Sequence, residues 1–202
     1  MGQNMAKAIF LDRDGVLNPL VWNPLVHDYD SPHRPEEVTL LPGVPESLQF
    51  FCDSDYLVFV ISNQPSAAKG KCSLDNLKAV QARFESLLSA YPHARILESF
   101  YCYHHPEAVI PEFKQKCRCR KPGNYFLELV HTKYQIDMSS SWMIGDRDID
   151  VLCGKSMGTK TILLDYPHSV NQRNGGPFDY SATDLAGATG IIKKVERGIQ
   201  RG

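Results

Sequence analysis

The tetrapeptide Asp12-Arg13-Asp14-Gly15 directly follows a short apolar run over residues 8–11, and this junction constrains the fold and the chemistry more than any other feature. A β-strand directs alternate side chains to one face, so both carboxylates should share one small volume. Like charges held so close repel each other unless a cation lies between them or one carboxyl keeps its proton. The junction predicts either a hard metal ion such as Mg²⁺ or an acid and base beside a carboxylate nucleophile. The alternative is an Asp-Gly turn that closes a hairpin.

The composition limits the class of protein. A chain of 202 residues suits one domain with a full core, with or without a small appendage. Its 22 basic and 23 acidic residues give no basic footprint for nucleic acid. No apolar stretch approaches the ~20 residues of a membrane span, and the N-terminus lacks the regions of a signal peptide. We therefore expect a cytoplasmic monomer that binds neither nucleic acid nor membrane.

Short apolar runs alternate with helical patterns along the chain, which is typical of an α/β fold with a mostly parallel sheet. The runs that predict strands cover residues 8–11, 56–61, 100–101, 142–144 and 161–164. Apolar residues three or four positions apart predict a helix over 74–91, with Ser73 placed to cap its start. Shorter helices are predicted over 44–51 and 125–131. Residues 1–7 and the tail from about residue 193 are predicted to be frayed.

Polar residues stand where three of these strands end. Asp12 follows the first strand, Ser62 and Asn63 follow the second, and Asp146 follows the fourth. In open α/β sheets, ligands bind outside the carboxyl ends of the strands, near the point where the strand order reverses. The sequence therefore predicts a site in which three strands direct oxygen-bearing side chains into one crevice.

These residues resemble the signature of the haloacid-dehalogenase-like phosphatases. In that family Asp-x-Asp-Gly follows the first strand, Ser or Thr follows the second, a Lys precedes a later helix, and Gly-Asp-x-x-x-Asp follows the fourth strand. The matching residues here are Asp12 and Asp14, Ser62, Lys121, and Asp146 with Asp150.

A closer resemblance is to the branch that contains D-glycero-D-manno-heptose 1,7-bisphosphate phosphatase and histidinol-phosphate phosphatase. The matching stretches are residues 12–18, 62–64, 102–106, 117–122 and 145–147, and they extend over roughly residues 8–165. The most specific part is Cys-x-His-His-Pro together with Cys-x-Cys-Arg-Lys-Pro. The resemblance implies one Rossmann-like phosphatase domain over residues 1–202, with helices on both faces of the sheet, no large cap domain and a small zinc loop at about 102–119.

The resemblance also implies the catalytic roles. Asp12 would be the nucleophile that forms an aspartyl-phosphate, and Asp14 the general acid that protonates the leaving oxygen and later activates water. Ser62 would donate a hydrogen bond to the phosphoryl oxygens, although a plain turn residue is the alternative. Lys121 would balance the charge of the transition state.

Metal and substrate contacts follow from the same resemblance. Mg²⁺ would bind Asp12, Asp146 and the backbone carbonyl of Asp14, with Asp150 bracing the site from behind. Asn63, Arg120 and Arg147 are predicted to contact the substrate. The alternatives left open are a solvated basic face for Arg120, and a surface ion pair of Arg147 with Asp148 or Asp150.

The cysteine and histidine residues of the loop predict a second metal. Cys102, His104, Cys117 and Cys119 match a closed, tetrahedral structural zinc site with three thiolates and one imidazole. Such a metal would fix the loop that carries Lys121. His105 is the alternative to His104 as the fourth ligand.

The chain departs from the branch near the predicted crevice. Residues 65–70 read Pro-Ser-Ala-Ala-Lys-Gly where the branch has Ser-Gly-Ile-Ala-Arg-Gly, and the segment 19–37 is long. We predict that segments 19–37 and 65–69 determine substrate choice, with Trp22 and Tyr29 as an apolar wall and Arg34 as a cation. The alternative is an ordinary solvated loop.

The predicted function is a Mg²⁺-dependent phosphomonoester hydrolase that acts on a small sugar phosphate, namely the 7-phosphate of a heptose bisphosphate. Histidinol phosphate is the alternative substrate within the branch. A nucleic-acid 3′-phosphatase is disfavoured because the chain has no basic stripe. From a different class, the Cys/His cluster alone would also fit a zinc-binding module without catalysis.

Overall fold

The computed structural model describes residues 5–24 and 27–199. Six strands form one parallel sheet in the order β5-β4-β1-β6-β7-β8. These strands are β1 (Lys7–Leu11), β4 (Tyr56–Asn63), β5 (Glu98–Cys102), β6 (Trp142–Gly145), β7 (Lys160–Leu164) and β8 (Tyr180–Ala182). The strand order reverses beside the central β1, whose neighbours are β4 and β6. The predicted parallel α/β sheet is confirmed.

In the described part of the chain, five helices cover the sheet: α1 (Val44–Asp53), α2 (Leu74–Leu88), α3 (Tyr125–Tyr134), α4 (Asp148–Ser156) and α5 (Leu185–Ile199). Strand β1 shows why they lie on both faces, because its apolar side chains are buried on each side. Ile9 and Leu11 belong to a core formed with α1, α2 and α5, whereas Ala8 and Phe10 belong to one formed with α3 and α4. Among the described residues, no helix is long and apolar enough to cross a membrane.

The helix predicted over 74–91 is α2, and its start has the predicted cap. The Ser73 side chain accepts a hydrogen bond from the Asn76 backbone N–H at 3.0 Å. The helix ends at Leu88, three residues before the predicted end, and Tyr91 is exposed. Pro92 follows Tyr91, and a proline disfavours helical geometry in the residue before it.

The prediction that both ends are frayed is wrong where the structure describes them. Ala6 exchanges backbone hydrogen bonds with Gln135 and Asp137, and Lys7 begins β1. Helix α5 continues to Ile199, and its Ile192 side chain is fully buried in the core. Residues 1–4 and 200–202, which the same prediction covered, lie outside the described residues.

The long segment 19–37 contains a small antiparallel hairpin, formed by β2 (Val21–Asn23) and β3 (Asp28–Asp30). Leu20 before it and Val38 after the segment are buried, so the hairpin is anchored at both ends in the core. A short 3₁₀ turn over Pro35–Glu37 leads back toward α1. The segment therefore contains regular secondary structure and is not an irregular loop.

Candidate active site

The three predicted strand ends meet at one edge of the sheet. β1, β4 and β6 are adjacent and parallel, so Asp12, Ser62 and Asp146 emerge side by side at the carboxyl edge. Each of these three side chains is buried. The Asp12 backbone N–H donates to the Ile144 carbonyl at 3.0 Å, which carries the pairing with β6 one residue past the end of β1.

Lys121 lies between two carboxylates at the centre of this site. Its Nζ is 3.0 Å from Asp12 Oδ1 and 2.6 Å from Asp150 Oδ1, and it donates to the Ile61 carbonyl at 2.6 Å. Burial alone would lower the pKa of Lys121, but the two carboxylates raise it above its ordinary value. A fully buried lysine that stays charged is a fixed positive charge beside Asp12.

The same charges act on Asp12. Burial would raise the pKa of Asp12, but Lys121, then Arg147 and the Ser62 hydroxyl outweigh it and lower that pKa. Oδ1 accepts from Lys121 and from the Arg13 backbone N–H at 2.8 Å. The structure therefore holds Asp12 as an anion, with Oδ2 as the oxygen that neither contact occupies.

Asp146 is the least satisfied group in the site. It is fully buried, and neither of its carboxylate oxygens has a hydrogen-bond partner in the described part of the chain. Its nearest cation is Arg147, with Nε at 3.8 Å from Oδ2. Burial is the main reason that the pKa of Asp146 rises to about 7. An orphaned buried carboxylate of this kind fits a site that a cation completes.

The donor set around Asp146 fits a hard divalent cation. Oxygens of Asp12, Asp146 and Asp150 all lie within 4.8 Å of one another. Gly15 makes room for this cluster, because its φ is +81° and a Cβ there would lie 2.4 Å from Asp146 Oδ2. Gly145 does the same on the other side, where a Cβ would lie 2.2 Å from the Asp150 Cβ. Carboxylate oxygens are the ligands that Mg²⁺ prefers, so these residues fit that ion.

Asp14 lies outside this cluster and is held by three side chains. Its carboxylate accepts from Arg13 Nε at 3.0 Å, from Asn18 Nδ2 at 2.9 Å and from Gln64 Nε2 at 2.6 Å. The side chains of Asp12 and Asp14 therefore point in different directions and do not share one volume as predicted, because the chain turns after β1. Binding of Mg²⁺ by the Asp14 backbone carbonyl stays a prediction.

The side chains predicted to contact substrate differ in how far other protein groups already engage them. Both amide atoms of Asn63 are taken by the Lys121 backbone, at 3.1 Å and 3.0 Å. Asn63 thus positions Lys121, and its contact with substrate stays a prediction. Arg147 lies against Asp146 and not in the surface pair with Asp148 or Asp150 that the sequence left open. Arg120 makes one long contact, with Nη1 at 3.4 Å from the His104 carbonyl.

A cavity of about 330 Å³ opens beside these residues. It is lined by Asn63, Arg120 and Arg147, by the segment after β4 and by strand β3 of the hairpin. Tyr29 is part of its wall, and its ring stacks on His168 at 3.5 Å. Trp22 and Arg34 line a neighbouring cavity that shares Asp30, Ser31 and Lys71 with this one, and Arg34 is paired with Glu37 at 2.7 Å. A substrate contact of Trp22 or Arg34 stays a prediction.

The four predicted zinc ligands come together. The Sγ atoms of Cys102, Cys117 and Cys119 lie 3.2 to 3.5 Å apart, and His104 Nδ1 lies 3.6 Å from Cys119 Sγ and 3.9 Å from Cys102 Sγ. A tetrahedral site with Zn–S bonds of about 2.3 Å has ligand separations of about 3.8 Å. Burial, followed by the neighbouring thiols, raises the pKa of Cys102. The set fits a zinc ion, because only a cation lets three adjacent thiols ionise together.

His105 is not part of this cluster. Its Nδ1 accepts from the Glu107 backbone N–H at 3.1 Å, while the atoms that could hold an ion belong to His104. The structure therefore favours His104 over the alternative that the sequence left open.

Three residues that hold the Asp14 carboxylate were not predicted from the sequence. Arg13 is buried with its guanidinium against Asp14, and burial is offset by the Asp14 charge so that the pKa of Arg13 is raised. Gln64 Nε2 also donates to Ser62 Oγ at 3.1 Å and so links Ser62 to Asp14. The available signal for Arg13 and Gln64 was that both are polar residues close to the ends of predicted buried strands, where an unpaired polar group is costly. Asn18 is farther from any predicted strand and had no such signal.

Comparison with known proteins agrees with this geometry. A family model described as HAD-hydrolase-like matches residues 118–169. The D-glycero-alpha-D-manno-heptose-1,7-bisphosphate 7-phosphatase of Photorhabdus laumondii is 32% identical over 164 residues, which cover 81% of this chain and 85% of that protein. The D-glycero-beta-D-manno-heptose-1,7-bisphosphate 7-phosphatase of Salmonella typhi is 31% identical over 94% of this chain and 97% of its own length.

The fold has a close counterpart among solved structures. The D,D-heptose 1,7-bisphosphate phosphatase of B. bronchiseptica, complexed with magnesium and phosphate, superposes with a TM-score of 0.76. The two chains are 24% identical, and the match covers 94% of this chain and 99% of that one.

Proposed function

The chain belongs to the haloacid-dehalogenase-like phosphatases, in the branch of the heptose-1,7-bisphosphate 7-phosphatases, and we propose that it removes the 7-phosphate of a D-glycero-D-manno-heptose 1,7-bisphosphate. The observation that carries the proposal is an ionised Asp12 that contacts the fixed charge of Lys121 and lies in one carboxylate cluster with Asp146, whose carboxylate has no hydrogen-bond partner among the described residues. That arrangement provides a nucleophile, a place for a cation and a charge that stabilises phosphoryl oxygens.

Asp12 begins the reaction. Oδ2 of its carboxylate attacks phosphorus, the ester P–O bond breaks, and the electron pair leaves with the sugar oxygen. The product is an aspartyl-phosphate on Asp12. Lys121 and the Ser62 hydroxyl, which both interact with Asp12, would stabilise charge on the phosphoryl oxygens.

Asp14 moves the protons. It gives a proton to the leaving sugar oxygen, and then accepts one from the water that attacks the aspartyl-phosphate and releases inorganic phosphate. Both of its carboxyl oxygens already accept hydrogen bonds, from Arg13, Asn18 and Gln64. The acid step therefore requires Asp14 to exchange at least one of these donors for the substrate.

Two metal ions belong to the proposal. Mg²⁺ bound by Asp12 and Asp146 would neutralise charge between the nucleophile and the phosphoryl group. Asp150 holds Lys121 and also accepts from the Arg147 backbone N–H at 3.1 Å, so it braces both neighbours. Zinc at the Cys/His cluster would fix the segment that delivers Arg120 and Lys121.

Phosphate release from a panel of substrates tests the proposal. The panel contains both anomers of the heptose bisphosphate, histidinol phosphate, a 3′-phosphorylated oligonucleotide and p-nitrophenyl phosphate. We expect the highest kcat/KM for one or both heptose bisphosphates, with Asp12→Asn as the inactive control. A higher kcat/KM for histidinol phosphate or the oligonucleotide would reject the proposed substrate. An absence of phosphate release from every ester would favour the non-catalytic zinc module.

A further inference from the structure

The segment that follows β7, residues 165–173, lies against the carboxylate cluster. It leaves the same edge of the sheet as Asp146, because β7 is parallel to β6 and pairs with it. Most of it forms a 3₁₀ turn, Pro167–Gln172. A Cβ on Gly15 would lie 3.3 Å from the ring atom Cδ1 of Tyr166 and 2.4 Å from Asp146 Oδ2. The segment therefore reaches the place where the cluster is most crowded.

Asp146 lies outside the regular structure on either side of it. The pairing of β6 with β7 ends at Gly145, and α4 begins only at Asp148. Its carboxylate lies within 4.8 Å of those of Asp12 and Asp150, and like charges repel each other when no cation lies between them. The main chain at Asp146 therefore needs an anchor that neither β6 nor α4 provides.

Ser169 provides this anchor. Its side chain is fully buried, and its hydroxyl donates to the Asp146 carbonyl at 3.2 Å and to the Tyr166 carbonyl at 3.0 Å. A hydroxyl has one proton, so the two carbonyls share it. The bond goes to the main chain of Asp146, while both carboxylate oxygens of Asp146 are left without a hydrogen-bond partner in the described part of the chain. Ser169 thus holds the residue and leaves its ligand atoms free.

Arg173 fixes the orientation of the Ser169 hydroxyl. Its Nη2 donates to Ser169 Oγ at 3.3 Å, and the same guanidinium is paired with Asp165 and donates to the Tyr166 carbonyl. An arginine has donors only, so Ser169 Oγ must accept from Arg173 and direct its own proton toward the carbonyls.

The segment itself is fastened on two sides. The Asp165 backbone N–H donates to the Ala182 carbonyl of β8 at 2.7 Å. The Tyr166 hydroxyl accepts from the Leu20 backbone N–H at 3.1 Å, just before the hairpin. Ser169 is therefore part of a fixed turn and can resist movement of Asp146.

We propose that Ser169 is a positioning residue for Mg²⁺, whose hydroxyl holds the main chain of Asp146 so that the Asp146 carboxylate is in place before the ion binds. The inference rests on the Mg²⁺ site of the proposed function and adds a residue that determines its affinity. A carboxylate already in place needs no rearrangement on binding, so more of the interaction energy appears as affinity. Ser169 should therefore act on Mg²⁺ binding and not on the chemistry of the Mg²⁺-saturated enzyme.

Thermal melts over a series of Mg²⁺ concentrations, without substrate and at constant pH, test this inference. We expect Ser169→Ala to need about tenfold more Mg²⁺ than the wild type to reach half of the full rise in Tm, a loss typical of residues that support a metal ligand. Its kcat at saturating Mg²⁺ should stay within about twofold of wild type. Ser181→Ala, at an exposed position of β8, is the matched control and should bind Mg²⁺ as the wild type does.

The outcomes separate this inference from the proposed function. A wild type whose Tm does not rise with Mg²⁺ overturns the Mg²⁺ site of the proposed function, and the inference with it. If the wild type responds and Ser169→Ala has the same half-saturating concentration, the inference alone is overturned, because a merely structural contact lowers Tm equally at every Mg²⁺ concentration. If Ser169→Ala does not fold, Arg173→Met decides by the same melts. Loss of the donors behind the hydroxyl should then raise the half-saturating concentration severalfold, and an unchanged value would overturn the inference.

Discussion

The carboxylate cluster and the thiol cluster lie at the two ends of one short segment, residues 117–121, yet they are built in opposite ways. The carboxylates of Asp12, Asp146 and Asp150 are buried at the edge of the sheet, and the Asp146 carboxylate has no hydrogen-bond partner among the residues that the structure describes. The three thiols and the imidazole belong to a mostly half-buried loop, and their ligand atoms all lie within 4.8 Å of one another. An open anionic cluster can accept substrate and cation, whereas a closed cluster can only fix the chain.

Contacts between the two regions show how they cooperate. Cys119 is followed directly by Arg120 and Lys121, and the Gln64 backbone N–H donates to the Cys102 carbonyl at 2.7 Å. Asn63 then holds the Lys121 backbone through both of its amide atoms. The thiol cluster therefore determines where Lys121 enters the site, and the carboxylate cluster determines what Lys121 does there.

The largest effect should come from the nucleophile. Asp12→Asn keeps the shape of the side chain but removes the anionic oxygen that attacks phosphorus, so kcat should fall by roughly a thousandfold or more, about 4 kcal/mol in barrier. Phosphate release measures the loss, a thermal melt checks folding, and Asp75→Asn at an exposed helix position is the control. A variant that retains about a tenth of wild-type activity has lost only about 1.4 kcal/mol, and the nucleophile would then lie elsewhere.

Loss of one ligand from the thiol cluster should lower both the zinc content and the thermal stability of the protein. Cys117→Ser replaces a thiolate ligand, so bound zinc should fall from close to one ion per chain, and Tm should drop by on the order of 10 °C because the loop loses its anchor. Elemental analysis and a thermal melt measure these two changes. Cys72→Ser is the matched control, because Cys72 lies outside the cluster. Finding no zinc in wild-type protein purified without chelator would contradict the assignment of zinc to the thiol cluster.

The two metal sites should also differ in affinity, so that a chelator removes one ion and leaves the other bound. EDTA should abolish activity, and added Mg²⁺ should restore it while zinc stays bound, because a closed thiolate site holds its ion more tightly than carboxylates do. Activity and zinc content measured on the same sample show both results. Recovery with Zn²⁺ but not with Mg²⁺ would contradict the assignment of Mg²⁺ to the carboxylate cluster.

The fold and the core of the site were accessible from sequence for a physical reason. Strands buried on both faces appear as continuous apolar runs, and residues that follow such runs must lie at one edge of a parallel sheet. Asp12, Ser62 and Asp146 could be placed in this way. The Cys and His spacing located the second cluster independently of the sheet.

Other parts depend on how the chain turns and could not be predicted from pattern. Strands β2, β3 and β8 have three residues each, too few for an alternation to be visible. Arg13 would point away from Asp14 in a regular strand, and the turn after β1 brings the two together. The tail predicted to be frayed is helical because α5 packs against the core through side chains such as Ile192 and Val195, and these long-range contacts are not visible in a local pattern.

Titration of Asp146 sharpens the contrast between the open and the closed cluster. The pKa of Asp146 is raised to about 7 in the folded protein, from an ordinary value near 4, so the folded state binds the extra proton between these pH values. Stability of the metal-free protein should therefore fall as pH rises through this window. Mg²⁺ binds the ionised form, so it should raise Tm by several degrees more at pH 8 than at pH 5.5. Asp146→Asn should abolish this difference, and an equal Mg²⁺ effect at both pH values would contradict it.

The smallest effect should come from the hairpin, which belongs to neither cluster. Replacing residues 22–29 by Asn-Gly removes Tyr29 and shortens the wall of the substrate cavity, while Leu20 and Val38 stay buried in the core. We expect the ratios of kcat/KM between heptose bisphosphate, histidinol phosphate and other sugar phosphates to decrease a few-fold. Activity on p-nitrophenyl phosphate should stay within a few-fold of wild type, because Asp12, Lys121 and Asp146 are supported by the sheet and by residues 117–121. Tyr29→Ala, which leaves the hairpin in place, tests whether the aromatic wall alone carries the effect. If the shortened protein folds and keeps the wild-type order of substrates, the hairpin is only a connection, and substrate choice then depends on the cations Lys69, Arg120 and Arg147.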